Sequence, residues 1–334
     1  MCPAFGFVQA SRRSFLRKAV SGLVFSLPFF MALIAPPPVS ADVIVDFNSP
    51  GSEGNYTGAN FTDAGHPNAQ IPPFEAGPDA YSDGEFLRLK EFPASGFYRS
   101  FNAVGFDQTD AGLFGRIVLD FDFRITCGGT RVVGSGFDFR CADGFSVGFM
   151  NTATFGTTGV PFTLDELGRS SIRNGSFAVG FNTFDNGGET NNSLRLAWND
   201  SSISGYANLG NTFDIVTGSN RVREEFQRAH IDLTLGVAPV VTVQLTDGFG
   251  NTVTPFNAFD LSTVLVNGLA VGPYDSRLGF FTRTGDSTES VDIDNVRVQY
   301  LNAIGGGDSV PAPGALVLLG FGLLGLCGLR RKQV

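Results

Sequence analysis

The segment VDIDNVRV, residues 291–298, places apolar residues among polar ones at mostly alternate positions. Successive side chains of a strand point to opposite faces of a sheet, so this period of two predicts a regular strand with one buried face. The segment VIVDF, residues 43–47, has a similar β-branched and aromatic character near the other end of the chain. Together they predict a β-rich domain over residues 42–304.

Further apolar or alternating runs recur between segments rich in turn residues. The chain holds 43 Gly and 34 Phe, and only 16% of its residues are charged. This composition suits short strands joined by tight turns, with aromatic side chains between two sheets. We therefore predict an all-β sandwich, as one domain rather than two smaller ones. Further strands are expected at residues 86–89, 117–125, 144–149, 176–181, 194–198, 229–235, 240–245 and 278–282, and a helical turn or two only near 164–167 or 258–263.

The charges are distributed unevenly along the chain. Residues 1–41 and 310–334 contain Arg and Lys but no Asp or Glu, so the domain between them is more acidic than the net charge of -9 of the whole chain. Such a domain repels the phosphate backbone of nucleic acids. Nucleic acids are therefore excluded as partners.

Two of the four cysteines, Cys2 and Cys327, lie in the terminal segments, and Cys127 and Cys141 remain in the domain. In an oxidising compartment two such cysteines most simply form a disulfide. Closing a loop of this length contributes about 3 kcal/mol on the chain-entropy model. The alternative is a pair of buried free thiols.

Residues 1–41 have the three parts of a secretion signal. The basic segment SRRSFLRK (11–18) precedes an apolar run at 19–35, and the small residues of VSA (39–41) suit a signal peptidase. The basic part resembles a twin-arginine signal, with Arg17 where that family usually has Lys. The resemblance implies that the domain crosses the membrane already folded. The alternative is an ordinary export signal, and both routes lead out of the cytoplasm.

A second terminal segment, residues 310–334, follows a linker at 305–309. Sixteen uncharged residues, 314–329, would form a helix of about 24 Å, shorter than the ~30 Å hydrocarbon core of a membrane. The basic residues after it would stay in the cytoplasm and leave the domain outside. A plain membrane anchor is one interpretation. The motif residues are Val310, Pro311, Ala312 and Pro313 before the apolar span and Arg330 and Arg331 after it.

The order of a short Pro motif, a Gly- and Leu-rich span and terminal Arg residues resembles the PEP-CTERM sorting signal of exopolysaccharide-producing Gram-negative bacteria. Ala312 stands where that family usually has Glu. The resemblance implies processing near the Pro motif by an exosortase, an intramembrane cysteine transpeptidase. The protein is then expected first in the inner membrane, and afterwards in the cell envelope, on the outer surface or in the extracellular matrix.

Three segments in the domain carry a second resemblance. CADGFSV (141–147), FAVGFNTFDN (177–186) and RLGFFTRTG (277–285) resemble, in this order, a strand entry, the metal loop and a late strand of the L-type (legume-type) lectin domain. The resemblance implies a concanavalin-like jelly roll that binds polysaccharide. A jelly roll can also persist as a scaffold without a ligand.

The lectin resemblance assigns roles to individual residues. Asp143 corresponds to a carboxylate that accepts hydrogen bonds from sugar hydroxyls, and Asn186 to an asparagine that bridges calcium and sugar. Phe184 would offer its carbonyl to calcium, and Asn182 would stand in the place of a metal-binding Asp. Gly180 replaces the Glu of a second, transition-metal site, which is therefore lost.

Calcium is the one candidate cofactor. It prefers several anionic oxygens, which only Asp185 or Glu189 could add near these residues. The sugar-binding and the calcium-binding segments each also have an interpretation without a ligand. Asp143-Gly144 fits a turn beside a disulfide, and the segment 185–188 fits a plain hairpin.

The enzyme classes fit the sequence less well. His66 and His230 are the only histidines, and no HExxH or phosphate-loop pattern occurs. Glycosidases of this fold class need two carboxylates at hydrolysis distance, and their ExDxxE strand is absent. We expect His230, at the start of a strand, to be a core or paired histidine. The sequence predicts an exported lectin-like protein that is not an enzyme; a structural surface protein without a glycan site is the alternative, and a glycosidase a distant third.

Overall fold

Eighteen strands and one short helix make up the regular structure of the described residues. The computed structural model describes residues 41–45, 47, 56–62, 75–76, 85–90, 100–109, 111–128, 141, 143–159, 175–184, 191–218, 224–284 and 289–304. In chain order the elements are β1 Ala41–Val45, β2 Tyr56–Thr62, β3 Glu75–Ala76, β4 Glu85–Lys90, β5 Ser100–Phe106, β6 Leu113–Cys127, β7 Gly144–Asn151, α1 Thr152–Phe155, β8 Phe177–Asn182, β9 Ser193–Trp198, β10 Ser201–Ser202, β11 Ala207–Asn208, β12 Gln227–Thr234, β13 Val240–Thr246, β14 Thr252–Asp260, β15 Leu265–Val266, β16 Leu269–Ala270, β17 Ser276–Thr284 and β18 Glu289–Ile304.

The predicted terminal segments lie almost wholly outside the described residues. Of the predicted signal peptide only Ala41 is described, and it already belongs to β1. The predicted C-terminal hydrophobic helix is also outside these ranges. In the described part of the chain no helix has the length and apolar character needed to cross a membrane.

Two antiparallel eight-stranded sheets form the domain. Sheet A has the order β14-β13-β12-β6-β18-β4-β3, and β1 pairs with β18 on the same edge as β4. Sheet B has the order β10-β9-β8-β7-β17-β5-β2, and β11 also pairs with β9. Strands β15 and β16 form a separate hairpin. The two sheets confirm the predicted all-β jelly-roll sandwich.

Phenylalanine rings fill the space between the two sheets. Phe121 and Phe123 of sheet A lie with their ring centroids 5.2–6.2 Å from those of Phe145 and Phe181 of sheet B. Phe145 and Phe181 are stacked on each other at 4.3 Å. All four side chains are fully buried. Aromatic side chains bury a large apolar area each, so this cluster is a main source of the stability of the sandwich.

Every predicted strand overlaps an observed one, but the regular alternation expected for 291–298 is wrong. Ile293 and Val296 are both buried although they are three positions apart. The pairing of β18 with β6 shifts register between Asp294 and Arg297, and Asn295 has a φ of 48°. This β-bulge inserts one extra residue, which returns Val296 to the buried face.

The helix expected near residues 258–263 is also wrong. Strand β14 continues to Asp260 and is an edge strand of sheet A, where its Pro255 does not interrupt a ladder. The only helix of the described residues is α1, which Asn151 caps by accepting a hydrogen bond from the Ala153 amide at 3.0 Å. The alternative helix at 164–167 lies outside the described residues. Strands β2, β5 and β14 and the two-residue strands β3, β10, β11, β15 and β16 were not predicted.

A buried cluster of charges lies on the outer face of sheet A. Asp292 accepts hydrogen bonds from Arg88 Nε at 2.8 Å and from Arg124 Nε at 2.9 Å. All three side chains are fully buried. The Arg124 guanidinium also lies over the rings of Phe86 and Phe226, 4.9 and 4.5 Å from their centroids. The carboxylate of Asp292 on β18 therefore bridges two arginines away from water, one on β4 and one on β6, the strands on either side of β18.

The variant Asp292→Asn tests this cluster. Removing one partner of a buried ion pair leaves uncompensated charge and costs about 3–5 kcal/mol. We expect a loss of this size in the free energy of unfolding, measured by urea denaturation. Asp232→Asn is the matched control, because the Asp232 carboxylate pairs with the half-exposed Arg116. An exposed pair contributes less than about 1 kcal/mol, so equal losses in the two variants would contradict the assignment.

His230 is paired, as expected from the sequence. Its Nδ1 lies 2.8 Å from Asp120 Oδ1 on the neighbouring strand, and both side chains are more than a third exposed. The hydrogen bond with Asp120 raises the pKa of His230, and burial acts against it. A raised pKa means that the protonated form stabilises the fold. That contribution is complete below the ordinary imidazole pKa of about 6.5 and is lost as the pH rises through the higher pKa of the folded protein.

His230→Gln should remove this pH dependence. Between pH 5.5 and 8.5 the wild-type protein is expected to lose up to about 1 kcal/mol more stability than the variant, a small difference because the pair is exposed. Urea denaturation at several pH values measures the difference. Parallel pH profiles for the two proteins would show that the pair contributes nothing.

Candidate functional site

Asp143 lies at the end of sheet B, immediately before β7. Its amide donates a hydrogen bond to the Arg283 carbonyl at 3.1 Å, and its carbonyl accepts one from the Thr183 amide at 3.2 Å. Asp143 is thereby fixed between the ends of β17 and β8, on both sides of β7. The structure brings it next to the predicted residues Asn182 and Phe184.

Gly144 explains why glycine follows Asp143. It has a φ of +112°, and a Cβ at this position would lie 1.9 Å from the Phe181 carbonyl oxygen. Only glycine allows this approach of the two backbones. The Asp-Gly pair is therefore a requirement of the close contact between β7 and β8, as well as a turn.

Glu289, the first residue of β18, supports this arrangement from sheet A. Its Oε1 accepts a hydrogen bond from the Gly144 amide at 2.7 Å, and its Oε2 accepts one from the Thr183 hydroxyl at 2.8 Å. The side chain is fully buried. One carboxylate thus connects the two sheets directly beneath Asp143, and both of its oxygens are engaged.

The Asp143 side chain has a basic neighbour. Arg283 Nε lies 3.7 Å from Asp143 Oδ2, and the two side chains are 37% and 5% exposed. An acceptor therefore lies beside a donor at the strand ends of sheet B. A hydroxyl group can donate to the first and accept from the second.

The predicted calcium ligands form a bond with each other. Asn182 Nδ2 donates to the Phe184 carbonyl at 2.8 Å, and Asn182 is fully buried. Asn186 lies outside the described residues. Across the residues that the structure describes, no three of His, Cys, Asp and Glu are grouped so that they could hold a metal ion. Asn182 and Phe184 alone offer only neutral oxygens, which do not fit calcium well.

The predicted disulfide is confirmed. Cys127 and Cys141 are joined through an S–S bond of 2.05 Å. Cys127 ends β6 and Cys141 lies two residues before Asp143, so the bond ties the entry of β7 to sheet A. Cys141 Sγ also lies 3.6 Å from Glu289 Oε2.

One further pattern in the sequence resembles a catalytic motif. GFSVG, residues 144–148, matches the GxSxG of hydrolases, in which the serine is exposed on a sharp turn between strand and helix. Ser146 is instead fully buried in the middle of β7, between β8 and β17. This serine is a strand residue and not an exposed nucleophile.

Sequence reasoning gave no role to Glu289, Thr183 or Arg283. Thr183 and Arg283 lie within segments that resemble lectins, but Glu289 is one acidic residue among many. Nothing in its spacing separates it from Glu189, since its role depends on a contact across the sandwich.

The comparisons with known proteins concern two parts of the chain. The profile of the PEP-CTERM protein-sorting motif matches residues 309–332. This part of the chain carries that sorting motif, as the sequence analysis predicted. No curated protein matches the chain.

Among solved structures, the chain is similar to lectin I-B4 from Griffonia simplicifolia in a metal-free form, with 17% identity, 79% of this chain and 100% of that chain covered, and a TM-score of 0.48. A lectin from Bauhinia forficata in complex with GalNAc is 16% identical to this chain. The match covers 79% of this chain and 99% of that chain, with a TM-score of 0.46. The VIP36 exoplasmic/lumenal domain in a Ca2+/Man-bound form is 11% identical to this chain. The match covers 77% of this chain and 86% of that chain, with a TM-score of 0.44. Similarity at this level says nothing about a ligand of this chain.

Glu289→Met tests the support beneath Asp143. Methionine has a similar length but no strong acceptor, so the Gly144 amide and the Thr183 hydroxyl lose the oxygens that accept from them. A buried donor left without an acceptor costs about 1–3 kcal/mol, which urea denaturation measures as a loss in the free energy of unfolding. The control is Glu224→Met, at a glutamate that is exposed. If both variants unfold at the same urea concentration as the wild type, Glu289 does not have the supporting role described.

Proposed function

We propose that this protein is an exported surface protein whose sandwich domain binds a polysaccharide of the cell envelope or extracellular matrix. The sorting motif at 309–332 marks an exported protein that an exosortase sorts to the bacterial cell surface. Processing near Pro311 would release the domain from the inner membrane. The polysaccharide is the part of the proposal that rests on the domain itself.

The pair of Asp143 and Arg283 carries the proposal. Sugar hydroxyls are at once donors and acceptors, and a carboxylate beside a guanidinium satisfies both functions with charge-assisted hydrogen bonds. Backbone bonds from both neighbouring strands and the Glu289 carboxylate hold Asp143 in place. A site that is fixed before binding loses less entropy when the ligand arrives.

Calcium remains a candidate cofactor of this binding. Calcium binding stays a prediction from the sequence, because Asn182 and the Phe184 carbonyl supply only neutral oxygens and the predicted ligand Asn186 lies outside the described residues. The binding experiment below therefore includes arms with and without calcium.

A glycosidase is not favoured by the geometry around Asp143. Hydrolysis of a glycosidic bond needs two carboxylates that can exchange protons with the substrate or with water. Glu289 is the nearby carboxylate in the described region, and both of its oxygens accept hydrogen bonds from within the protein. We therefore propose binding without catalysis.

A structural surface protein without a glycan site is the second candidate. One observation favours it: the Asp143 side chain is only 5% exposed and already has Arg283 beside it. In that case the ion pair between Asp143 and Arg283 would only hold the start of β7 in place.

Binding of the full-length protein to an array of bacterial polysaccharides tests the proposal, in calcium and in EDTA. We expect binding of at least one polysaccharide, and Asp143→Asn should weaken it about tenfold because a charge-assisted bond is lost. Asp260→Asn, which removes an exposed carboxylate at the end of β14, should bind like the wild type. No binding in either buffer would favour the structural candidate, and hydrolysis that Asp143→Asn abolishes would establish an enzyme.

A further inference from the structure

A cavity of about 420 Å³ opens between three segments, residues 211–217, 224–227 and 247–249. Gln227 begins β12 opposite Phe123, so the cavity lies at the end of the sandwich where β6 reaches Cys127. Its volume is within the range of small-molecule sites, about 300–1,000 Å³. None of the residues discussed for the Asp143 site lines it.

The walls of the cavity are fixed by side-chain hydrogen bonds. Asn192 Nδ2 donates to the Phe213 carbonyl at 2.6 Å, and its Oδ1 accepts from the Ile215 amide at 3.0 Å. Gln227 Nε2 donates to the Asp214 carbonyl at 2.6 Å. The Thr217 amide donates to the Ile125 carbonyl at 2.9 Å. The loop is thus held by strands β6 and β12 and by Asn192, the residue directly before β9.

The polar groups that line the cavity are mainly acceptors. Its described lining includes four carboxylates and neither Lys nor Arg. Gln227 is only 6% exposed, and its Oε1 has no hydrogen-bond partner. A buried carbonyl oxygen without a partner costs free energy unless a ligand or water donates to it. The acidic residues of the lining are Asp214, Glu224, Glu225 and Asp247.

The acceptors are not arranged for a metal ion. Among the described residues no three His, Cys, Asp or Glu side chains are grouped so that they could hold a metal ion. The carboxylates come from three separate segments of the lining, so an organic ammonium ion, which can donate to several acceptors at once, suits them better than a metal ion. Phe249, at the rim, is 89% exposed. Its ring face can attract an ammonium group.

A turn positions one carboxylate of the cavity, and a second one lies over a glycine. The turn after β13 fixes Asp247, whose Oδ1 accepts from the amides of Phe249 and Asn251. Although burial acts in the opposite direction, hydrogen bonds from Asn251 and Phe249 lower the pKa of Asp247 and keep it charged. Glu225 lies flat over Gly248, where a Cβ would come within 2.0 Å of its Oε2. The Glu225 carboxylate can occupy this position because Gly248 has no side chain.

We propose that the cavity binds a small organic cation that carries primary ammonium groups. Each ammonium group supplies three donors, which match Gln227 Oε1 and the carboxylates of Glu224 and Glu225. Polyamines and amino sugars both have this chemistry. The site is independent of the polysaccharide site at Asp143 and does not require it.

Isothermal titration calorimetry of the full-length protein tests the proposal with spermidine and glucosamine as probes. N-acetylglucosamine serves as the neutral control ligand. We expect one bound cation per chain, about tenfold weaker binding in Glu225→Gln, and a similar loss in Gly248→Ala, whose methyl group displaces the Glu225 carboxylate without removing its charge. Asp260→Asn removes one charge outside the cavity and should bind within about twofold of the wild type.

The outcomes separate the sources of the cation. Binding of spermidine alone indicates a polyamine, and binding of glucosamine alone indicates an amino sugar; binding of both supports the shared ammonium chemistry. The proposal is overturned if neither binds, if N-acetylglucosamine binds as well as glucosamine, or if Asp260→Asn weakens binding as much as Glu225→Gln. The last result would mean nonspecific attraction to an acidic protein.

Discussion

The aromatic contact between the two sheets is the constraint on which the rest of the structure depends. Phe145 and Phe181 are stacked on each other and face Phe121 and Phe123 across the sandwich. The same packing brings β7 and β8 so close that Gly144 can carry no side chain. Asp143 is the next residue outward, so its position follows directly from the core. A site built on the ends of packed strands is held more firmly than one built on free loops.

Strand β18 shows how one sequence serves both faces of a sheet. Its alternation directs Glu289 toward sheet B, where it bonds Gly144 and Thr183, and directs Asp292 to the opposite face, where it bonds two arginines. Buried carboxylates are costly unless hydrogen-bonded donors compensate them. Here each carboxylate has donors on both oxygens. The cost of burying them is therefore offset by contacts that fix the pairing of β18 with its neighbours.

Periodicity in the sequence was sufficient for the strands but not for their irregularities. The β-branched and aromatic runs located β12 and β13, whose burial has a period of two, and also β6, which is buried on both faces over much of its length. The bulge at Asn295 was visible only as a spacing of three between Ile293 and Val296, and β14 was hidden by its proline. The Asp-Gly pair and the two cysteines were recognisable because their chemistry is local. Glu289 and the cavity at Gln227 depend on contacts between distant segments, which no local pattern encodes.

The strand lengths also relate the candidate sites to the sorting motif. Strand β18 has 16 residues, and it runs from Glu289, opposite Cys127, to Ile304, opposite Leu113. At about 3.3 Å per residue these ends are about 50 Å apart. Asp143 and the Gln227 cavity both lie at the Cys127 end, whereas the chain continues from Ile304 toward the motif at 309–332. Both candidate sites therefore lie at the end of β18 that is opposite to Ile304, the residue from which the chain continues toward the sorting motif.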